Sequence, residues 1–179
     1  MSTLELKELS HPSGEVIKIA AGKTLDLKTQ GSVTMPTGSV LQVVQTTSTT
    51  ETITSATQTW VDVAATATIT PTSAASKILV MHTAGGMVAA LNVSTSFQLL
   101  RGSTAVSTMD RLGYGGASTW TPITFTMNYV DSPNTTSATT YKFQVRLNAT
   151  GQIRHNPTSA GTNVTPIASS TVILMEIAG

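Results

Sequence analysis

The sequence contains no cysteine, which excludes disulfides, thiolate metal sites and cysteine nucleophiles together. Charge is scarce as well: only 11% of the residues are Asp, Glu, Lys or Arg, against about 25% in an average soluble protein. Ten Lys and Arg oppose nine Asp and Glu, for a formal net charge of +1. No block of like charge stands out, so nucleic acid is not an expected partner. Aromatic residues make up only 4%. Long apolar runs are missing too: the most apolar windows, Ile78 to Met81 and Val172 to Met175, are far shorter than the roughly 20 residues that cross a bilayer as a helix. Membrane insertion is not expected. Met1 to Leu9 alternates Leu4, Leu6 and Leu9 with Glu5, Lys7 and Glu8 and lacks a basic region followed by an apolar stretch, so synthesis in a cytoplasm is expected.

What replaces charge is Thr and Ser, in runs such as Thr46 to Thr50 and Thr135 to Thr140. Their hydroxyls bind water, and the branched Thr favours extended backbone. So little charge protects a solitary monomer poorly against association, which favours a protein that lives inside an assembly. With 179 residues and 18.6 kDa there is room for one full sandwich and a short appendage.

Apolar and polar residues alternate with a period of two in run after run. From Gly14 to Gly38 the pieces are short: Glu15 to Ile19, Thr24 to Lys28 and Ser32 to Met35, punctuated by glycines about every eight residues. Such strands are marginal alone. Pro36-Thr37-Gly38 is a turn signal and sets the boundary between an N-terminal attachment or stem segment, 1–35, and a module, 36–179. Longer runs follow: Val40 to Gln45, Trp60 to Thr70, Lys77 to His82, Phe97 to Leu100, Ile123 to Tyr129 and Tyr141 to Leu147. The last, Thr171 to Ile177, is apolar on both faces, as in a strand in the middle of a sheet or beneath a subunit interface. The pattern predicts an all-β fold, an antiparallel jelly-roll-like β-sandwich preceded by a short extended N-terminal β segment.

Chemistry is hard to find. His11, His82 and His155 are scattered without further ligands at metal spacing, so no metal and no cofactor is expected. His82 reads as a core or interface residue and His155, between Arg154 and Asn156-Pro157, as part of an exposed turn. The nine acids form no close pair on a main-domain strand, as a glycosidase would need. Gly113 to Ser118 fits neither the dinucleotide nor the nucleophile-elbow pattern and reads as a flexible loop. No catalytic residue is expected, and the protein is not read as an enzyme. The best surface-contact candidate is the loop from Arg111 to Trp120, through Arg111, Tyr114 and Trp120, because Arg, Tyr and Trp are enriched in binding hot spots. The alternative is that Tyr114 and Trp120 cover the end of the sandwich.

Several stretches resemble the C-terminal modules of tail-fibre-like virion structural proteins of tailed phages, those of cyanobacteria and marine bacteria in particular. They are Gly38 to Val44, Ile69 to Val80, Leu99 to Ser103, Ser132 to Tyr141 and Leu174 to Gly179, with a leader-like Leu6 to Pro12 and Gly22 to Leu27. The resemblance implies a homotrimer located in the virion and assembled in the host cytoplasm. Its partners would be other phage virion proteins, of the tail, baseplate or capsid, and a host-surface glycan or protein. No heptad or Gly-X-Y repeat and no long shaft accompanies it. A fibre or tip module and a capsid decoration (cement) protein therefore both remain open, with a spike depolymerase weakest for want of length and paired acids. Virion attachment is expected through Val16, Ile17, Ile19, Leu25 and Leu27 of the N-terminal segment.

Overall fold

The computed structural model describes residues 21–22, 35–89, 93–115, 121–157 and 168–179, with side chains at all of these but 87–89 and 112–115. The chain divides into two compact units, Met1–Thr34 and Met35–Gly179. In the first, the described part is a turn at Ala21 and Gly22. The expected attachment residues Val16, Ile17, Ile19, Leu25 and Leu27 lie outside the described residues.

The described residues of the second unit form ten strands: β1 Val40–Ser48, β2 Thr52–Thr54, β3 Val61–Ile69, β4 Lys77–Ala89, β5 Val93–Arg101, β6 Thr104–Gly115, β7 Thr121–Asp131, β8 Thr139–Leu147, β9 Gln152–His155 and β10 Ser170–Ile177. They form two antiparallel sheets. Sheet A contains β1, β10, β4, β9, β2 and β7, and sheet B runs β3-β8-β5-β6. β4 pairs with β10 along Lys77 to Ala84 and with β9 along Gly86 to Ala89. β9 and β10 thus share one lane, and β1 and β2, which pair with them, share the next. Sheet A is therefore four lanes wide, β1/β2, β9/β10, β4 and β7, and sheet B matches it with four. With split lanes counted once, the orders are 1-8-3-6 and 2-7-4-5, the topology of a jelly roll made from two Greek keys. The fold expected from the alternation is the fold observed.

The core lies between the sheets because one face of each strand is apolar. β3 turns Val63, Ala65, Ala67 and Ile69 inward, β8 turns Tyr141, Phe143, Val145 and Leu147 inward, and all eight are buried. β10 sits between β1 and β4, in the middle of sheet A, and buries Val172 and Leu174. All three phenylalanines of the sequence meet at the centre with two histidines. Phe97 and Phe143 of sheet B stack with ring centroids 5.4 Å apart, and His82 of sheet A lies 4.2 Å from Phe143. Gly86 in β4 carries the Phe125 ring against its backbone, with Cδ2 only 2.9 Å from where a Cβ would stand, so a larger residue there displaces the ring.

Three sequence expectations are corrected. His155 is not in an exposed turn but fully buried in β9, paired with Gly86 and stacked 5.7 Å from His82. The polar residues around it mislead because Asn156 turns inward as well and donates to Ser170 Oγ at 2.9 Å and to the Ser48 carbonyl at 3.1 Å. Residues 111–115, expected in a loop, continue β6. β4 extends well past His82, to Ala89, because β7 and β9 pair with its far half. β7 and β8, joined across Asp131 to Asn134, lie in different sheets, so the connection carries the chain from sheet A to sheet B.

Candidate interaction surface

Register places the outward side chains of sheet A in rows across its lanes. One row is Val43, Met175, Leu79 and Val130, from β1, β10, β4 and β7. The next is Gln45, Ile173, Met81 and Asn128, and the next consists of four threonines, Thr47, Thr171, Thr83 and Thr126. None of these twelve side chains is charged. Among the described residues, charge on this face lies beyond these rows, as Lys77 opposite Ile177 and as Arg154 of β9, which pairs with Glu51 at 3.3 Å. Val43 is 55% exposed and Val130 51%, at the two edges of the same row. Val40 of β1 and Ile53 of β2 are exposed as well, so four of the five exposed large apolar residues described lie on the edge lanes of sheet A. A contiguous apolar row on a sheet's outer face is the mark of an interaction surface.

Sheet B presents the opposite chemistry. Asp62, Gln144, Gln98 and Thr108 form one row across all four strands. Gln144 Nε2 donates to Asp62 at 2.5 Å, Gln98 Nε2 to Gln144 Oε1 at 2.5 Å and Thr108 Oγ1 to Gln98 Oε1 at 3.5 Å. Lys142 Nζ lies 2.9 Å from Asp62, whose pKa is held below the usual carboxylate value by its hydrogen bonds from Lys142 and Gln144. In the neighbouring row Ser96 donates to Asp110, Arg146 approaches Asp110 at 3.4 Å, and the Arg146 guanidinium lies 4.7 Å over the Trp60 ring. In these two rows most polar side chains are paired to one another, as on a surface built to meet water.

The two sheets are tied by buried polar groups. Asp131, at the end of β7, accepts two hydrogen bonds of 2.9 Å from Arg101 of β5 and one of 2.7 Å from the Tyr141 hydroxyl of β8. Burial, then the adjoining Asp131 carboxylate, pushes the Tyr141 hydroxyl far above its ordinary pKa, so it remains a donor. Glu176 is buried, which raises its pKa. Hydrogen bonds from Gln42 at 2.6 Å and from the Thr72 backbone and hydroxyl at 2.7 Å each outweigh that effect and hold it at about 2. These contacts fasten the β3–β4 connection onto the end of sheet A.

Among the described residues the two histidines are buried without hydrogen bonds, as are Thr95 Oγ1 and Asn156 Oδ1. No ring nitrogen of His82 or His155 has a hydrogen-bond partner among the described residues. Burial holds His82 at about 3, with the neighbouring His155 adding to the effect, and burial alone holds His155 at about 4. Both are neutral at physiological pH. Among the described residues no three His, Cys, Asp or Glu side chains group as metal ligands, and no helix is long and apolar enough to cross a membrane.

Of the expected contact residues, Arg111 is exposed on β6, an edge of sheet B, in a bulge where Asp110, Arg111 and Leu112 stand against Ser96 alone. Its φ of +57° is the left-handed conformation that such a bulge uses. Tyr114 pairs by backbone with Ser94, and Trp120 lies outside the described residues. The rows of sheet A were not anticipated as a site. Their sequence signal was the doubly apolar pattern of β10, repeated in Ile78 to Met81 of β4.

No protein-family description matches the chain, and no curated protein does. Among solved structures, the chain is similar to one of infectious bursal disease virus Gt strain, at 16% identity over 90% of this chain and 43% of that one, with a TM-score of 0.44. It is also similar to one of T=1 particles derived from that virus, at 14% identity over 88% and 41%, with a TM-score of 0.36. The chain thus spans less than half of the chains it resembles, and likeness at this level carries nothing about its role.

Proposed function

We propose that the protein is a structural protein of a bacteriophage virion, a homotrimeric fibre- or tip-like module exposed on the particle, and that it has no enzymatic activity. The observation that supports this reading most is the outer face of sheet A, whose three rows of uncharged side chains include a complete apolar row with exposed valines at both ends. A jelly roll hosts many functions, and it is this face that favours a subunit of an assembly. Across its four lanes the sheet is about 19 Å wide and along the eight residues of β10 about 27 Å long, from ordinary strand spacing and rise. That footprint of about 510 Å² reaches the roughly 500 Å² per partner below which an interface is not expected to be specific.

In this reading residues 1–35 attach the module to other virion proteins through Val16, Ile17, Ile19, Leu25 and Leu27. Arg111, Tyr114 and Trp120 are offered to a host-surface glycan or protein. The second reading, a decoration protein on the capsid, uses the same fold and face and differs in what the attachment segment touches. The test is antibody labelling of purified particles viewed by electron microscopy. Label at the tail supports the fibre reading and label over the head the decoration reading. Particles that carry neither the label nor the protein overturn both.

A further inference from the structure

The trimer has a definite geometry if the rows of sheet A are followed to its edges. The lanes alternate in direction, with β1 antiparallel to β10, β10 to β4 and β4 to β7. Strand β7 of one copy placed beside β1 of another therefore continues the alternation. The edges of the two sheets differ in how they resist such an approach. Sheet B ends in β3, which carries Asp62 and a break in its pairing, and in β6, which carries Asp110, Arg111 and two breaks. Charges and bulges of this kind keep sheet edges from meeting. β1 is nine residues long without a charge and has its one break at its start, between Val40 and Gln42. β7 is eleven long with Pro122 near its start and no charge before the buried Asp131, so Val43 to Ser48 and Ile123 to Val130 are unbroken and uncharged. Both expose valines: Val40 and Val43 on one, Val130 on the other.

Dimensions select the number of copies. Three flat sheets, each about 19 Å wide, enclose a triangular space whose sides stand about 5.5 Å from the axis, close to half the ~10 Å between two packed sheets. Side chains from three faces then meet at the centre. Four such sheets would stand about 10 Å from the axis and leave a hole. Two sheets face to face would also bury the rows, but the backbone edges of β1 and β7 would remain unpaired in water.

We propose that three copies stand as a three-sided prism, with the outer faces of sheet A turned to a common axis and β7 of each copy beside β1 of the next, so that Val130 meets Val43 of its neighbour. The row Val43, Met175, Leu79 and Val130 then closes into a continuous apolar belt around the axis, with the glutamine-to-asparagine row and the threonine row stacked beside it. The charged face of sheet B stays outside. This inference rests on the homotrimer reading above and adds the contacts that make it.

The absence of cysteine makes the test clean. Within one copy Val43 and Val130 stand three lanes apart, about 14 Å, twice what a disulfide spans. The full chain carrying both Val43→Cys and Val130→Cys, mildly oxidised, should run under non-reducing conditions as a covalent trimer and nothing larger, while each single substitution stays uncrosslinked. Gln45→Cys with Asn128→Cys, one row along, repeats the experiment at a second pair of exposed edge positions. Dimers from Val130→Cys alone would show a two-fold contact and overturn the prism. Failure of both pairs to crosslink in protein whose mass by light scattering is that of a trimer would overturn the prism and leave the trimer standing. A monomer mass would overturn both.

Discussion

The two outer faces of the sandwich are made by the same rule and meet different surroundings. On sheet B one outward row is a chain of hydrogen bonds, from Asp62 through Gln144 and Gln98 to Thr108, and in the next Arg146 is laid over Trp60. On sheet A the corresponding rows hold valine, methionine, leucine, isoleucine and threonine with Gln45 and Asn128, and none of them carries a charge. Polar groups already paired to one another gain little from a protein partner, whereas the apolar row left in water gains about 25 cal/mol for each Å² of apolar surface it covers. The contrast shows that the low overall charge is unevenly spread. In the proposed reading, sheet B meets water and sheet A is left for an assembly.

The largest effect is expected from a charge placed between the faces. Leu174 is fully buried, so Leu174→Asp puts an unpaired carboxylate in the core at a cost of about 3–5 kcal/mol or more. The protein should be insoluble or lack a cooperative melt, and soluble Leu174→Asp protein with a sharp transition would contradict the placement of β10. Its neighbour Met175 points outward, and Met175→Asp should leave the fold intact while changing its association. The same strand thus reads inside and outside one residue apart.

Acid comes next. His82 and His155 are held at about 3 and about 4, below the ordinary 6.5. The unfolded chain therefore binds more protons than the folded one between those values and 6.5, and stability rises with pH there. The histidine contribution should be complete above about pH 6.5 and decline steadily as pH falls toward 3. Glu176, held at about 2 against 4.5, adds a loss that begins below 4.5 and runs to about 2. Denaturant titrations at pH 7, 5 and 4 check the sign: His82→Phe should flatten the decline between pH 6.5 and 4, and an unchanged slope would mean that His82 is not the buried neutral group described.

The smallest effect belongs to the outside of sheet B. Asp62 is half exposed and its partner Lys142 nearly a third exposed, so Asp62→Ala should cost under about 1 kcal/mol and leave the mass in solution unchanged. A change in association from Asp62→Ala would show that the two faces had been assigned the wrong way round.

How much of this was legible follows from what alternation can carry. β3, β8 and β10 were readable because Val63 to Ile69, Tyr141 to Leu147 and Val172 to Ile177 are apolar at every second position or throughout. β6 was missed because Gly113 and Gly115 imitate a loop while backbone pairing to β5 holds them extended. The first half of β5 was missed because Ser94, Thr95 and Ser96 look like surface but are buried, Ser96 by its bond to Asp110. β2 and β9 are too short to show a period. His155 was misplaced because burial of a neutral imidazole depends on which strands surround it, and β4 and β7 reach it only in the folded sheet. The rows of sheet A had one visible trace, the doubly apolar β10, which shows that a second face is apolar without showing what aligns with it. Register between strands far apart in sequence supplies that.

The central claim is that sheet A packs against other copies and sheet B does not. It is tested most directly by measuring, side by side, the solution mass of the unaltered chain and of Met175→Asp at micromolar concentration by light scattering. The account predicts three times 18.6 kDa for the first and a folded monomer for the second, since a carboxylate from each copy would meet at the axis. An unaltered chain that is monomeric, or a Met175→Asp protein that remains trimeric, would contradict it.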